Sequence, residues 1–260
     1  MENGFETAHF HFEYTESDIA TSVLWERHCH ARFEMIGVLE GDISIMLEGK
    51  NYRLTKHQTA IIPPLCYHTI TANKNGRYHR LTALFDASAI PEALRTHFLD
   101  RSEISIFFAT HIEDIKNICC EADVGFYAPL AESLMVQCFY EKIAAAQNSM
   151  VTETDEFLQQ AIAYIDAHLH EKILLEDIAR CTSRSKSSFS HLFEEKMNIS
   201  PKQYILHKKL ALANKMIRDG TPPTDAAMRL GYENYSNFYR MYYKQYGVSP
   251  KQDCGDTDAN

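Results

Sequence analysis

A chain of 260 residues with 45% hydrophobic and 11% aromatic residues can bury a large core, and its length favours two domains over one. The N-terminal stretch MENGFETAHFHFEYTESD lacks the basic start and apolar run of a secretory signal, and no apolar run approaches the ~18 residues that span a bilayer. We therefore expect a cytoplasmic protein with no membrane partner, and the formal net charge of −9 argues against nucleic acid as a partner of the chain as a whole.

Short apolar runs separated by turn signals extend from about Trp25 to Phe85. Hydrophobic and polar residues alternate in DISIMLEGKNYRL, and Gly41-Asp42 and Gly49-Lys50-Asn51 supply turn residues, a pattern typical of antiparallel hairpins. This segment therefore predicts a β-sandwich or β-barrel.

After Pro91 the periodicity becomes helical, weakly over Glu92–Leu99 and strongly in APLAESLMVQCFYEKIAAAQ, with the strand-like stretch SEISIFFAT between them. The predicted helix over 129–147 has a broad apolar face, formed by Leu130, Leu134, Val136, Cys138, Phe139 and Ile143. Such a face packs against the β domain or forms a dimer interface, and its breadth does not distinguish the two. The polar stretch that follows predicts a linker at 148–155, after a first domain of residues 1–147.

Residues 156–252 are predicted to form an all-helical domain. Helices are expected at about 155–170, 175–180, 185–196, 201–219, 224–230 and 234–246. Capping signals are Ser185, Ser200 before a proline, Thr224-Asp225 and Asn234, and Gly220 ends the long fourth helix. The aspartate-rich residues 253–260 predict an acidic disordered tail.

Two short helix pairs in this domain are alike. EDIARCTSRSKSSFSHLFEEK and TDAAMRLGYENYSNFYRMYYKQ each contain a small helix, a tight turn and an amphipathic helix with aromatic residues on one face. Burial of those rings turns a polar face outward, which fits the major groove of DNA. Residues 155–252 carry 14 basic against 11 acidic residues, whereas residues 1–154 carry 12 against 21, so the basic half is expected to face DNA. The pairs predict two helix-turn-helix units, at about 175–196 and 224–246.

The stretch from about Phe157 to Lys251 resembles the DNA-binding domain of the AraC/XylS family of bacterial transcription regulators. The resemblance rests on LEDIA, SKSSFSHLFEEKMNISPKQYI, KKLALANKMI and DAAMRLGYENYSNFYRMYYKQYGVSPKQ. It implies DNA readers on the second helix of each unit, at Ser187, Ser190, His191, Tyr235, Ser236, Tyr239 and Arg240. Arg240 suits a guanine, because a guanidinium donates two hydrogen bonds to O6 and N7. Four lysines are expected at phosphates or on the solvated surface, namely Lys186, Lys202, Lys208 and Lys244.

The predicted helix over 201–219 connects the two units and is roughly 28 Å long. Successive major grooves on one face of DNA lie ~34 Å apart, so one chain is expected to engage two turns of DNA, with bending. Within this helix, Lys209 stands where the family commonly has arginine.

The stretch RHCHARFEMIGVLEG, with the pattern H-x-H-x3-E-x6-G, fits the first sequence motif of cupins, and PPLCYH resembles the second. Cupin domains commonly precede this DNA-binding domain. His28 and His30 point to one face of a strand, but Glu34 joins them only if the chain turns around residues 31–33. The second motif is degraded, because His57 and Leu65 occupy glycine positions and Ala72 an asparagine position, which favours a metal-free pocket.

The sequence thus predicts an α+β protein with an N-terminal cupin-type jelly-roll barrel, flanking helices and a C-terminal all-α domain. We expect a homodimeric transcription regulator, not an enzyme, that binds double-stranded DNA, a small-molecule effector such as a carbohydrate, and RNA polymerase, without a cofactor. The expected effector-binding residues are His28, His30, Arg32, Glu34 and His68. Two alternatives stay open: a cupin enzyme with a metal on the three histidines and Glu34, and a DNA-binding protein whose cupin only dimerises.

Overall fold

The computed structural model describes residues 2–19, 28–98, 104–121, 123–145 and 155–254. The chain divides into two compact units, of which the first takes residues 1–27 and 32–152 and the second takes residues 28–31 and 153–260. All described strands belong to the first unit, and the second is helical. A search of the described helices finds none with the length and apolar character of a membrane span.

Nine strands in the described part of the chain form two antiparallel sheets. Their bounds are β1 Glu2–Glu6, β2 Phe10–Ile19, β3 Phe33–Glu40, β4 Asp42–Leu47, β5 Lys50–Thr55, β6 Gln58–Ile62, β7 His68–Ala72, β8 Gly76–Phe85 and β9 Ser105–Phe108. The larger sheet has the order β1-β2-β8-β3-β6-β9, and the smaller has the order β5-β4-β7.

Strand β3 shows how the sheets pack. Successive side chains point to opposite faces of a strand, so Ile36 and Val38 face the smaller sheet and pack with Ile43 of β4. Phe33 and Met35 face the other way, into a core shared with α1 (Ile112–Cys119) and α2 (Val124–Ala145). Because β3 is covered on both faces, it is an almost continuous apolar run. Its even-numbered side chains therefore lie between the two sheets.

The helical unit contains α3 Glu156–Ala167, α4 Leu175–Cys181, α5 Lys186–Met197, α6 Pro201–Arg218, α7 Pro223–Arg229 and α8 Tyr235–Tyr246. Three predicted caps are confirmed, because Ser185, Ser200 and Asn234 accept hydrogen bonds from backbone amides of the first turn. The predicted cap at Thr224-Asp225 is wrong. Helix α7 begins one residue earlier, at a proline that needs no capping acceptor because it has no N–H.

The predicted α+β architecture, with sheets in the N-terminal part and helices in the C-terminal part, is confirmed, but some elements were not predicted. The hairpin β1–β2 and helix α1 lie in segments to which no element was assigned. Helix α2 begins at Val124, before the expected residue 129, and keeps Pro129 inside it. The predicted linker at 148–155 lies outside the described residues except for Asp155, which caps α3.

The first two residues of the predicted disordered tail, 253 and 254, are ordered. Residues Gln252–Cys254 form a short 3-10 helix, and the Asp253 carboxylate accepts hydrogen bonds from Asn214 of α6 and Tyr242 of α8, at 2.7 and 2.6 Å. These contacts fix residue 253, whereas residues 255–260 lie outside the described residues.

Candidate effector site and DNA-reading helices

A buried acid–base pair joins the two sheets. Glu34 begins the inner face of β3, opposite Ile62 of β6, and His68 begins β7, opposite Leu47 of β4. The His68 Nε2 atom lies 3.0 Å from Glu34 Oε2, and the two side chains are 0% and 8% exposed. An acid–base pair therefore lies between two sheets whose other facing side chains are mostly apolar.

The hydrogen bonds of His68 indicate its protonation state. Its Nδ1 atom lies 3.0 Å from the Cys66 carbonyl oxygen, which only accepts, so Nδ1 carries a proton. An ionised Glu34 also only accepts, so Nε2 carries a second proton. Burial lowers the pKa of His68, but the hydrogen bond and charge of Glu34 and the Cys66 carbonyl raise that pKa by more, to above its ordinary value. The raised pKa of His68 favours an imidazolium beside a Glu34 carboxylate.

His28 and His30 lie beside this pair. The chain bends at Ala31 and Arg32, immediately before β3, and the rings of His28 and His30 are 5.3 Å apart. One donor atom from each of His28, His30, Glu34 and His68 lies within 4.8 Å of the others. Three imidazoles and one carboxylate are a donor set that zinc and other divalent transition metals accept. The Nδ1–H of His68 on a backbone carbonyl is also typical of a metal-ligating histidine.

Arg32, the fifth predicted effector residue, ion-pairs with a carboxylate. Its Nε atom lies 3.5 Å from Asp86 Oδ2, just after β8, and its side chain is 27% exposed. An anionic or hydroxyl group of an effector at Arg32 would therefore compete with Asp86.

A second polar group on the inner face was missed by the sequence reasoning. Thr82 and Arg80 of β8 lie on the same face as Glu34, and their partners in β2 are Glu13 and Thr15. Arg80 Nη2 lies 3.6 Å from Glu13 Oε1, and Thr15 donates to the same oxygen at 2.8 Å. The Thr82 hydroxyl is buried without a hydrogen-bond partner among the described residues. Alternation in HFHFEYTES was the signal for β2, but no strand was assigned there.

The degraded second cupin motif keeps a glycine-like backbone. His57 and Leu65, which stand at glycine positions, have φ angles of 69° and 64°. This left-handed region is costly for residues with a Cβ atom. Both positions, on either side of β6, therefore have a backbone conformation that glycine adopts readily, and the missing glycines carry little weight against a site at His68.

The exposed faces of α5 and α8 carry the predicted DNA readers. Phe189 and Phe193 of α5 and Phe238 and Tyr242 of α8 are fully buried, as their spacing predicted. The opposite faces expose Ser187, His191, Tyr235, Ser236, Tyr239 and Arg240, whereas Ser190 is half-buried. The Arg240 guanidinium donates to the Asn237 side chain on the same helix, which holds it along the exposed face.

The four lysines expected at phosphates or in solvent differ in their surroundings. Lys202 and Lys244 are exposed, and Lys186 is exposed but pairs with Glu176 at 2.7 Å. The expectation for Lys208 is wrong: its side chain is 2% exposed, and its ammonium pairs with Asp166 of α3 at 2.8 Å. It lies on the inner side of α6, where it helps to fix α3.

Two family models match the chain. One, described as an AraC-like ligand binding domain, matches residues 9–135, and the other, described as a helix-turn-helix domain, matches residues 178–253. Together they cover more than three quarters of the 260 residues. The chain belongs to the AraC/XylS family of transcription regulators.

Relatives of this AraC/XylS regulator include the uncharacterized HTH-type transcriptional regulator YobQ of Bacillus subtilis, 25% identical over 230 residues, 88% of each chain. The lactose operon transcription activator of Staphylococcus xylosus is 21% identical over 152 residues, 55% of this chain and 54% of its own. Among solved structures, fatty-acid-bound ToxT of Vibrio cholerae matches with a TM-score of 0.46 and 10% identity, over 98% of this chain and 96% of its own. The Glu34–His68 pair lies in the ligand-binding match, and α5 and α8 lie in the helix-turn-helix match.

Proposed function

We propose that this AraC/XylS regulator binds a small, hydroxyl-rich effector, of which carbohydrates are the leading class, at the inner face of its sheets. The observation that carries the proposal is the buried Glu34–His68 pair on a mostly apolar surface. Small-molecule sites typically combine an apolar lining with a small number of polar groups. His28 and His30 lie beside the pair, and Arg32 completes the proposed set. Carboxylate and imidazole groups accept and donate hydrogen bonds, as sugar hydroxyls require.

A thermal-shift screen of sugars against the full chain tests the effector site. A ligand at 100 times its Kd stabilises the unit that binds it by ~2.7 kcal/mol. Glu34→Gln is expected to abolish the shift, whereas Glu40→Gln, at the other end of β3 and half-exposed, is expected to retain it. A shift that persists in Glu34→Gln would place the effector elsewhere, and no shift with any sugar would leave dimerisation as the role of the domain.

For DNA, we propose that α5 and α8 enter successive major grooves, with Arg240 reading a guanine and Lys202 contacting phosphate. Arg240→Ala is expected to lose ~1–3 kcal/mol of discrimination at one base position, whereas Lys202→Ala weakens binding to all sequences alike. Quantitative binding to a selected operator and its single-base variants measures both. Identical behaviour of the two variants would refute the assignment of reader and phosphate contact.

We propose that the protein is a homodimer that joins through α2. The buried side of this helix packs on the larger sheet, whereas its other side exposes Phe126, Leu130 and Tyr140, at 74%, 50% and 56%. Leu130→Glu is expected to give monomers in sedimentation analysis, and retention of the dimer would exclude this face. The Staphylococcus xylosus relative is named a transcription activator. We likewise propose that this regulator activates transcription through RNA polymerase, and in vitro transcription from the selected operator tests this.

One observation favours a second function for the same residues, namely metal binding. The donor atoms of His28, His30, Glu34 and His68 are close enough that a small closing movement brings them to the ~3.4 Å spacing of ligands around one ion. Elemental analysis of protein purified from metal-replete medium separates the proposals. A stoichiometric metal that is lost in His68→Gln supports the metal centre, and turnover of a substrate by that form would support an enzyme.

A further inference from the structure

We propose that Lys209 is a positioning residue that holds the two helix-turn-helix units in one relative orientation, so that the protein itself sets the spacing of the DNA elements it reads. The proposal rests on the proposed reading of DNA by α5 and α8. It assigns a role to a buried cation that touches no DNA.

Lys209 lies in the middle of α6, the helix between the two units, and is 8% exposed. Its Nζ atom donates to the carbonyl oxygens of Glu171 and Leu230, at 2.5 and 2.7 Å. Glu171 lies in the connection between α3 and α4, immediately before the first unit. Leu230 is the residue that ends α7, inside the second unit. One ammonium group therefore joins three parts of the domain: the turn that leads into the first helix-turn-helix unit, the second unit and the helix between the two units.

The same two turns also touch through their backbones. Gly231, which follows Leu230, has a φ of 75°, and a Cβ atom there would lie 3.1 Å from the carbonyl carbon of Glu171 and 3.2 Å from the amide nitrogen of Lys172. A side chain at residue 231 would push the turns apart. At the exposed rim, Lys172 and Glu233 form an ion pair at 3.2 Å.

These contacts have a consequence for DNA. One inserted base pair moves the second element by ~3.4 Å and rotates it by roughly 35° about the DNA axis. If the two units move freely, each recognition helix follows its own element. If Lys209 holds them together, one helix loses its base contacts unless the DNA deforms, which costs free energy. Selectivity for one spacer length is therefore the signature of this contact.

The test uses the full chain and an operator selected from random-sequence DNA, remade with one or two base pairs inserted or deleted between its two elements. The wild-type protein is expected to lose about tenfold or more in affinity per base pair, the size of a typical mismatch penalty. Lys209→Met removes the N–H donors of the ammonium but keeps an unbranched apolar side chain. This variant is expected to lose less than about threefold in affinity per inserted or deleted base pair.

Two variants control for a general loss of stability. Lys209→Arg still has donors for both carbonyls and is expected to restore spacer selectivity. Lys215→Met, on the same helix, removes an ammonium whose ion-pair partner among the described residues is Asp219, the C-cap of α6, and is expected to leave selectivity unchanged. Gly231→Ala separates the same turns without altering the ammonium, so it serves if Lys209→Met does not fold, and is expected to reduce selectivity alike.

Two results would overturn the proposal: a wild-type protein indifferent to spacer length, or Lys209→Met with wild-type selectivity. A protein that selects no DNA sequence would instead refute the reading of DNA by α5 and α8. In that case hydrogen exchange decides, because Lys209→Met is then expected to speed exchange at both turns, around residues 171–172 and 231–232. Unchanged exchange at either turn would refute the proposal without reference to DNA.

Discussion

Replacing Glu34 by leucine is expected to reduce the free energy of unfolding of the compact unit that contains the two sheets by ~3–5 kcal/mol, because the buried imidazolium of His68 then lacks its carboxylate. His68→Leu is expected to cost as much, since it leaves the Glu34 carboxylate buried alone. The double replacement places two leucines beside Ile62 and Leu47, in apolar surroundings. It is therefore expected to cost far less than the sum of the single replacements, with a coupling free energy of more than ~2 kcal/mol.

Native-state hydrogen exchange of the full chain, read in peptides from β3 and β7, measures these free energies in the unit concerned. The chain offers a matched control in the pair of His57 and Glu113, which are 3.9 Å apart and 52% and 62% exposed. Replacing both members of that pair by leucine is expected to reveal a coupling of less than ~1 kcal/mol. A Glu34–His68 coupling no larger than that of the control would refute a buried ion pair.

Three further predictions concern the helical unit. Burial raises the pKa of Asp155, but its ion pair with a lysine of α5 and its hydrogen bonds from two backbone amides lower that pKa by more. The ionised carboxylate therefore stabilises the fold fully above pH ~3.9, and this stabilisation is lost as the pH falls through the depressed pKa. Asp155→Asn, which can still cap α3, is expected to flatten the acid side of the Tm–pH curve, and an unchanged curve contradicts this. Asp253→Ala removes the acceptor of Tyr242 and is expected to cost ~1–3 kcal/mol in urea unfolding, which an unaltered midpoint would exclude. Lys202→Ala is expected to reduce the salt dependence of DNA binding by about one phosphate contact and Lys186→Ala, whose ammonium pairs with Glu176, by less, and equal reductions would contradict the surroundings described for them.

Local signals in the sequence were enough for the helical unit. A serine or asparagine before an amphipathic run fixes a helix start through contacts one turn away, so Ser185, Ser200 and Asn234 were identified correctly. Aromatic residues four apart share a helix face, so the buried sides of α5 and α8 followed from spacing alone. Where the local rule had a competitor, as at Pro223 before Thr224, the helix start was misplaced by one residue.

Contacts between distant residues were not predictable in the same way. Glu34 and His68 were paired in advance only because their motifs resembled those of cupins, and no local rule brings β3 to β7. The polar group around Arg80 and Thr82 required knowing that β2 pairs with β8, which depends on register. Lys209 was noted only as a replacement for arginine, since its two carbonyl partners lie 38 and 21 residues away in sequence.

The charges of the helical unit are divided unequally between its two recognition helices. In α5, Lys186 pairs with Glu176 at 2.7 Å and Lys196 with Asp155 at 2.6 Å, so its cations are already neutralised within the protein. Helix α8 has no acidic residue, and Arg240 has only the neutral Asn237 as its hydrogen-bond partner on that helix. On the proposed reading of DNA, attraction to phosphate is therefore expected to come more from α8 than from α5, which would read DNA mainly through neutral hydroxyls. This division would reconcile the net charge of −9 with the proposed binding of DNA by these two helices.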